Sequence, residues 1–360
     1  MFRSDISVNV ALTRVRPLTH RLIPSLVQSV RMTDSGSPPS AIEVAVDSMK
    51  ADAVEAFGAL GNETRLAILL ALWDSYDPYG ADNAVHFSEL RERTGVSDSG
   101  RFNYHLRKLN GAFVRDTDDG YVLRPTGLHL VQTVIAGSGM KKTAIPPTDV
   151  GAVCLRCGSP TRISFRDGWL YYACTECEGF VGGGENEPEG ILFSQAFPPA
   201  GVANRTPEEV FETAVFRMLQ EFRAKIGGVC PRCSGIVDSR FEVCEQHDTA
   251  PGAVCTDCHR QYDVAVKWAC AVCKYSGQAP PSVAATVHPA VTDFYRDHGV
   301  DVGYSVTGSV EGHEALALMR GHDQELVATD PPRVRIVIRA GGDELRLTFD
   351  DQMNAVAADA

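Results

Sequence analysis

The chain has 360 residues and a formal net charge of −12, with 44% hydrophobic and 22% charged residues. This composition is that of an ordinary soluble globular protein, long enough for two or three domains. The lack of a continuous apolar run of about 18 residues excludes a membrane-spanning helix, and the excess of acid argues against a protein that coats nucleic acid by charge alone.

The local net charge near the start of the chain changes from positive to negative at Met32. Five Arg and one acid precede it, whereas residues 32–52 contain four acids and one Lys. We expect translation to begin at Met32 and residues 1–50 to form a disordered segment. A basic tail that touches DNA is the alternative interpretation of residues 1–31.

Residues 51–138 begin with two helical patterns. In NETRLAILLALW, Asn62 is predicted to cap a helix whose inward face carries four apolar residues at helical spacing: Leu66, Leu69, Leu70 and Trp73. In FSELRERTGV, we expect Ser88 as the cap, Leu90 on the inward face and Gly95 as the left-handed stop.

A third helical pattern and a hairpin follow. SDSGRFNYHLRKL places Phe102, Leu106 and Leu109 on one face. Together with the preceding helix and its glycine-containing turn, this spacing predicts a helix-turn-helix. Two β-rich runs flank residues 118–120 (Asp-Asp-Gly), a strong hairpin signal, and Thr126 is expected to cap a last helix.

These motifs together resemble the ArsR-type winged helix-turn-helix regulators. The resemblance covers roughly residues 53–137 and depends on LGNETRLAILLAL, SELRERTGVSDSGRFNYHLRKL and the DDGYVL hairpin. It implies a DNA-binding transcription regulator, usually a dimer joined through its outer helices. Many metal-sensing members place cysteines in the helix-turn-helix, and this segment has none, so metal sensing there is not expected.

The outward face of the third helix carries side chains suited to DNA. Ser, Asn and Arg read base edges in a major groove, while Lys and Arg also hold phosphates. Residues 53–135 hold 8 basic residues and 11 acids, so any electropositive surface must be local to this helix and the hairpin. A solvated amphipathic face is the alternative. The predicted DNA contacts are Ser99, Arg101, Asn103, Tyr104, Arg107, Lys108, Arg115 and Arg124.

All eleven cysteines lie between Cys154 and Cys273, and ten of them form five C-x2-C pairs. Disulfide scaffolds are usually short secreted chains, and residues 1–30 lack the continuous apolar core of a signal peptide. We therefore expect a reduced, cytoplasmic setting, in which C-x2-C pairs predict metal sites.

The spacing of these pairs is typical of zinc ribbons, in which two C-x2-C turns joined by a hairpin surround one tetrahedral ion. Residues 150–200 are expected to form the first ribbon and the strand after it, with an Asp-Gly turn at 167–168. Its ligands are predicted to be Cys154, Cys157, Cys174 and Cys177.

Residues 228–276 are predicted to form a tandem zinc-binding module. Taken in chain order, one set is Cys230, Cys233, Cys244 and His247, and the next is Cys255, Cys258, Cys270 and Cys273. A crossed pairing is the alternative, in which Cys230 and Cys233 join Cys255 and Cys258, while Cys244 and His247 join Cys270 and Cys273.

About three zinc ions are therefore expected, each closed by four protein ligands. A catalytic zinc keeps an open position and needs a nearby acid or base. Because the chain also lacks H-E-x-x-H and deaminase-type H-x-E motifs, we predict structural metals, no catalytic residues and no enzyme activity.

Between the zinc modules, residues 204–227 are predicted to form a connecting amphipathic helix. Thr206 and Glu209 form a capping box, Pro207 takes the first helical position and Gly227 ends the helix. Its apolar face is expected to be core or a dimer seam and consists of Val210, Phe211, Ala214, Met218 and Phe222.

The last part of the chain, residues 283–355, is predicted to be a small domain with one helix and one hairpin. HPAVTDFYRDHGV has the helical pattern, and RVRIVIRAGGDELRLTFD should turn at residues 341–342. Four histidines here lack ligand spacing and are not predicted to bind metal: His288, His298, His313 and His322.

The predicted fold class is therefore α+β and multidomain: a winged helix-turn-helix, then zinc ribbons, then a small α+β domain. This arrangement resembles ArsR-like regulators of halophilic archaea, and 27 Arg against 7 Lys in an acidic chain suits a salt-rich cytoplasm. The resemblance implies a homodimeric regulator of double-stranded DNA whose ribbons serve dimerisation or the binding of an effector or partner.

The alternative is an RNA polymerase adapter, since a winged helix with a zinc ribbon also resembles the archaeal initiation factor E. The polar set Ser99, Arg101, Asn103 and Arg107 favours a reader of operator DNA, because a polymerase adapter needs no base-reading face.

Overall fold

The computed structural model describes residues 54, 56–80, 82–137, 143–184, 187–250, 253–300 and 318–359. Within them the protein is mixed α+β, with four small antiparallel sheets and two separate apolar cores. The segment 1–50, the start at Met32 and His313 lie outside the described residues. No described helix is long and apolar enough to cross a membrane.

The first core is built by four helices and a hairpin, and a short helical stretch at residues 56–60 packs against it. In chain order these are α1 (Glu63–Asp74), α2 (Phe87–Arg93), α3 (Ser99–Leu109), β1 (Val114–Thr117), β2 (Gly120–Leu123) and α4 (Pro125–Gly137). Phe102, Leu106 and Leu109 of α3 are buried, as their spacing predicts. They share one cluster with Leu90 of α2 and with the inward face of α1, which holds the helices together.

The inward face of α1 differs from the prediction. Leu66 and Leu70 are 46% and 44% exposed, whereas Ile68, Leu69 and Leu72 are buried. Because the run LAILLAL is apolar on all sides, its periodicity does not select one face. Packing against the other helices selects it.

Two of the predicted helix signals are confirmed. The Asn62 side chain accepts a hydrogen bond from the Arg65 amide at 3.3 Å and so caps α1. Gly95 follows α2 with φ of 69°, the left-handed conformation expected of a helix stop.

The other two predicted caps are wrong. Helix α2 already begins at Phe87, so Ser88 lies inside its first turn, and His86 before it makes no side-chain capping bond. Thr126 lies inside α4, and its hydroxyl donates to the Ala112 carbonyl instead of capping the helix. This bond ties α4 to the chain that leads into the hairpin.

Gly127 allows α4 to lie against the hairpin. A Cβ at this position would be 2.2 Å from the Phe113 carbonyl oxygen, a backbone atom that cannot move aside. We expect Gly127→Ala to lower the free energy of unfolding by about 1–3 kcal/mol, the usual cost of overpacking, measured by circular dichroism in denaturant.

The matched control is Gly137→Ala at the open end of the same helix, where nothing lies within 4 Å. This variant should leave the free energy of unfolding unchanged or raise it by up to about 1 kcal/mol. Equal losses in the two variants would contradict the steric explanation.

The second core starts with a four-stranded antiparallel meander and a long helix. The strands are β3 (Ile145–Val153), β4 (Pro160–Arg166), β5 (Trp169–Cys174) and β6 (Ile191–Ala196), and the helix is α5 (Pro207–Ile226). The predicted turn at 167–168, the capping box of Thr206 and Glu209 and the helix end at Gly227 are all confirmed.

The apolar face of α5 belongs to the core. Its buried residues are Val210, Phe211, Ala214, Val215, Leu219 and Phe222. The ring of Phe211 lies 4.9 Å from that of Tyr172 on β5, so the helix packs directly on the first sheet. Met218 is only partly buried.

Two further sheets complete this core. The first contains β7 (Val237–Val243), β8 (Val264–Cys270) and β9 (Ser276–Ala279), and it is followed by α6 (Pro281–Ala284) and α7 (Pro289–Asp297). The second contains β10 (His322–Thr329), β11 (Pro332–Ala340), β12 (Asp343–Phe349) and β13 (Ala355–Asp359). Both sheets share one apolar cluster with α5 and the meander.

The C-terminal sheet corrects the predicted hairpin. The expected hairpin is present as β11 and β12, but it is the inner pair of four strands. Two strands alone make a marginal structure in water, and the buried residues Val334, Ile336 and Ile338 alternate along β11 as a core-facing strand requires. The outer strands carry weaker β signals and were missed.

Candidate metal centres and nucleic-acid interface

Three clusters of soft donors lie in the second half of the chain, and the ligand atoms of each lie within 4.8 Å of one another. Site 1 consists of Cys154, Cys157, Cys174 and Cys177; site 2 of Cys230, Cys233, Cys270 and Cys273; site 3 of Cys244, His247, Cys255 and Cys258. All twelve predicted ligands are therefore brought together in fours.

The distances within the clusters fit tetrahedral zinc. The sulfurs of Cys154 and Cys177 are 3.7 Å apart, and those of Cys233 and Cys270 are 3.5 Å apart. A Zn–S bond of about 2.3 Å places tetrahedral sulfurs about 3.8 Å apart, whereas disulfide sulfurs are about 2.0 Å apart. All eleven cysteines are free thiols, so the geometry fits a metal and not disulfides.

Backbone amides point at the sulfurs of sites 1 and 2. The Arg156 amide lies 3.4 Å from the Cys154 sulfur, and the Arg232 amide lies 3.4 Å from the Cys230 sulfur. At Cys154, burial raises the pKa of the thiol to about 12 and outweighs the hydrogen bond from the Arg156 amide, which lowers it. A bound cation is what would keep the Cys154 sulfur deprotonated.

The turns that present the second cysteine of a pair share one backbone conformation. The residue after that cysteine has positive φ in four of the five pairs: Gly158 (78°), Ser234 (59°), His259 (53°) and Lys274 (61°). Three of these residues are not glycine, so the turn is specified by its hydrogen bonds and ligands.

The pairing of sites 2 and 3 is nested, and both predicted pairings are wrong. Strands β7 and β8 are antiparallel, with Val237 opposite Cys270 and Val243 opposite Val264. The pair before β7 therefore meets the pair that begins at the last residue of β8, at one end of the hairpin, and forms site 2. Site 3 occupies residues 244–258 at the other end, within the connection between the two strands.

The ring of His247 is oriented by a hydrogen bond from the nitrogen that does not face the site. Its Nδ1 lies 3.5 Å from the Cys258 sulfur, near the roughly 3.6 Å expected between sulfur and nitrogen ligands of one zinc ion. Its Nε2 lies 3.2 Å from the Gln261 carbonyl oxygen, to which it can donate. This arrangement assigns Nδ1 as the ligand atom, held by a bond of the kind that orients metal-binding histidines.

Sites 1 and 3 are joined by backbone hydrogen bonds. The chain after Cys177 forms an antiparallel bridge with the chain after Cys258, in which Val181 pairs with Arg260. The amide–carbonyl distances of this bridge are 2.8 and 3.0 Å, for Gly182–His259 and Gln261–Phe180 respectively. The two loops therefore support each other.

Each cluster supplies four protein ligands. These would occupy all four positions of a tetrahedral ion and leave none for a substrate. The chemistry that such an ion supplies is cross-linking: it would fasten the ends of paired strands. Zinc in such modules contributes folding free energy directly.

Acid should release the metal. Thiolates bind zinc only when deprotonated, so the metal-linked stability is present at neutral pH and is lost as the pH falls. We expect about three zinc ions per chain at neutral pH, one for each cluster, and a loss of zinc together with β structure on acidification. Elemental analysis of desalted protein measures this, and one zinc ion or fewer at neutral pH without chelators would contradict the ribbon interpretation.

The structure leaves the predicted DNA contacts on the surface. All of them are exposed: Ser99, Arg101, Asn103, Tyr104, Arg107 and Lys108 on α3, Arg115 on β1 and Arg124 after β2. Arg124 also donates to the Gly111 carbonyl, so its guanidinium is partly engaged with its own backbone. His105, between these residues, is buried, and burial lowers its pKa.

Sequence reasoning missed a buried polar cluster on α5. Lys225 is only 6% exposed. Its ammonium lies 3.2 Å from a Glu221 carboxylate oxygen and 4.6 Å from the centre of the Trp268 ring. Tyr275 donates to the same carboxylate, and burial lowers the pKa of Lys225. The i,i+4 Glu–Lys spacing was visible in the sequence, but it is typical of solvated helix faces.

The comparisons with known proteins agree with a division of the chain into two parts. No curated protein and no solved structure matches it. Residues 53–134 match the family model described as Domain of unknown function (DUF7347). Residues 151–355, more than half of the chain, match the model described as Domain of unknown function (DUF7351), and the protein therefore belongs to that family.

Proposed function

We propose that residues 53–137 form an ArsR-like winged helix-turn-helix and that the protein is a regulator of transcription that reads specific double-stranded DNA. The observation that carries this proposal is the division of α3: three apolar side chains face the core, while the six predicted base and phosphate contacts are exposed. In this assignment α3 is the recognition helix and β1–β2 is the wing.

Local charge supports the proposal in spite of a net charge of −12. Arg101, Arg107 and Lys108 have no acidic ion-pair partner within the described part of the chain. Their charge is therefore available for phosphates, and Ser99 and Asn103 beside them can read base edges.

A second copy of the chain is the proposed partner of α4 and of the helical residues that precede α1. Large apolar side chains are exposed before α1, at Val54 (71%) and Phe57 (74%), and on α4, at Val134 (57%). Exposed apolar surface of this kind marks protein interaction sites. A symmetric dimer would place two recognition helices on the two halves of a palindrome. Cysteines grouped as metal ligands and not as disulfides support a reduced, cytoplasmic setting.

Genome-wide immunoprecipitation of the tagged protein tests the proposal. A sequence-specific regulator should give discrete peaks that share a palindromic motif, and the same motif should emerge from a random DNA library selected with purified protein. Peaks at every active promoter without a shared motif would instead favour a polymerase adapter.

A further inference from the structure

A cavity of about 330 Å³ lies where α5 passes between the first two sheets of the second core. One wall is formed by β5 and β6, the other by β8 and β9, and α5 contributes Met218, Phe222 and the Glu221–Lys225 pair. Met319 and Val283 close the cavity from the C-terminal part of the chain. Cavities of this size at the junction of structural units are where proteins usually bind small molecules.

The walls are mostly aromatic. The rings come from both sheets, from the loops between them and from α5: Trp169, Phe180, Phe193, Phe222, Tyr262, Trp268 and Tyr275. Flat apolar walls favour a planar apolar ligand through burial and ring stacking. Gly277 lets β9 lie close to the Trp268 ring, because a Cβ at this position would be only 2.9 Å from the indole nitrogen.

The two charged side chains that line the cavity, Glu221 and Lys225, are of opposite sign and are paired at 3.2 Å. Arg217, which is outside the lining, also pairs with Glu221 at 3.0 Å and adds a positive charge beside the pair. An anionic ligand would approach the Glu221 carboxylate, and a cationic ligand would approach the Lys225 ammonium. Either would also lose its hydration in an apolar space, which is costly for a charge without its own partner. An uncharged ligand avoids both penalties.

One N–H group of the Lys225 ammonium remains for a hydrogen bond to a ligand. Within the described residues, the Lys225 ammonium donates to Glu221 at 3.2 Å and to the Tyr275 hydroxyl at 3.5 Å. An ammonium has three N–H groups. The third lies among the rings of Phe222, Trp268 and Tyr275, at 5.5, 4.6 and 4.9 Å from their centres, and a ligand oxygen between these rings can accept from it.

We propose that this cavity is a binding site for a small, uncharged aromatic molecule that carries one hydroxyl or carbonyl group. The ring lies between the aromatic walls, and the oxygen accepts a hydrogen bond from Lys225. Because opposite walls belong to different sheets, the ligand fastens the sheet of site 1 to the sheet of site 2. The site is independent of DNA reading and goes beyond the proposed function.

The test is calorimetric titration of the zinc-loaded full chain with 2-naphthol in the absence of DNA. We expect one site per chain. Naphthalene-2-sulfonate, which has the same rings with a fixed negative charge, should bind at least about tenfold more weakly, since each 1.4 kcal/mol corresponds to a factor of ten. The absence of saturable 2-naphthol binding, or tighter binding of the sulfonate, would overturn the proposal.

Two tryptophan substitutions on α5 locate the site. Met218→Trp fills the cavity from the helix and should weaken 2-naphthol binding at least about tenfold. Phe216→Trp, a position that is 42% exposed and outside the lining, should leave the affinity unchanged. Equal affinity in both variants would refute the assignment.

Retention of zinc shows that a variant has kept its fold. If Met218→Trp loses zinc, Ser194→Trp gives the same test from the opposite wall, since Ser194 lines the cavity and is exposed. Wild-type affinity in zinc-loaded Ser194→Trp would overturn the proposal in the same way.

Discussion

The double variant Cys230→Ser/Cys270→Ser is expected to bind as much zinc as Cys270→Ser alone, about two ions per chain, because both cysteines belong to site 2. The double variant Cys230→Ser/Cys244→Ser should bind about one ion, because these cysteines belong to different sites. Pairing in chain order predicts the reverse. Native mass spectrometry of the three variants measures the number of ions directly.

The expected effect on folding is large. A structural zinc ion contributes on the order of 10–16 kcal/mol at neutral pH, and site 2 fastens the open ends of β7 and β8. We therefore expect hydrogen exchange to become fast throughout these strands in Cys270→Ser, while α1 to α4 keep their protection because they form a separate core.

The matched control is Cys154→Ser, which removes a ligand of site 1 from the other sheet. Its zinc loss should add to that of Cys270→Ser. If Cys230→Ser/Cys270→Ser binds less zinc than Cys270→Ser alone, the nested pairing is wrong.

Asn103→Ala is expected to weaken binding to the selected DNA site by roughly 1–3 kcal/mol and to relax one position of the motif. Its side chain is exposed on α3, on the side away from the buried Phe102 and Leu106. An amide can make a bidentate contact with adenine, which is lost in alanine. A selection experiment with both proteins measures the motif.

Lys108→Ala should have a different signature. Its ammonium is at the end of α3, 5.9 Å from the centre of the Tyr104 ring, and suits a phosphate contact. Loss of one phosphate contact weakens all sequences about equally and lowers the slope of log affinity against log salt by about one.

An arginine far from the proposed interface is the control for both variants. Arg335 on β11 is exposed and pairs with Glu325 at 3.4 Å, so Arg335→Ala removes a charge without touching the first core. It should change neither the motif nor the salt slope. Identical motifs from wild type and Asn103→Ala would mean that α3 does not read bases, and a protein partner for this face would then be favoured.

The sequence by itself was sufficient for several features that depend on local interactions, although the predicted caps at Ser88 and Thr126 were wrong. The capping box of Thr206 and Glu209 spans one helical turn, and the inward face of α3 follows from one polar-apolar alternation at helical spacing. The twelve ligands were also identifiable, because two cysteines three positions apart already form half of a zinc site.

The pairing of sites 2 and 3 needed the tertiary structure. The stretch between Cys233 and Cys244 has room for one strand, β7, and its partner β8 lies beyond site 3. Which pairs meet therefore depends on strand pairing between distant parts of the chain, which ligand spacing does not specify. Because the ligand pairs are separated by nearly equal numbers of residues, the sequence suggested a repeat of simple hairpins, each closed by its own zinc ion.

Tertiary packing also decided which apolar residues are buried and where a cavity remains. Leu66 and Leu70 resemble their buried neighbours in α1, and only contact with the other helices separates them. The cavity beside Lys225 is formed by side chains from four strands, two helices and the loops between them, spread over residues 155–319. Local periodicity reports which face of an element is apolar; the shape left between elements depends on how several such faces meet, and that is fixed only when they pack.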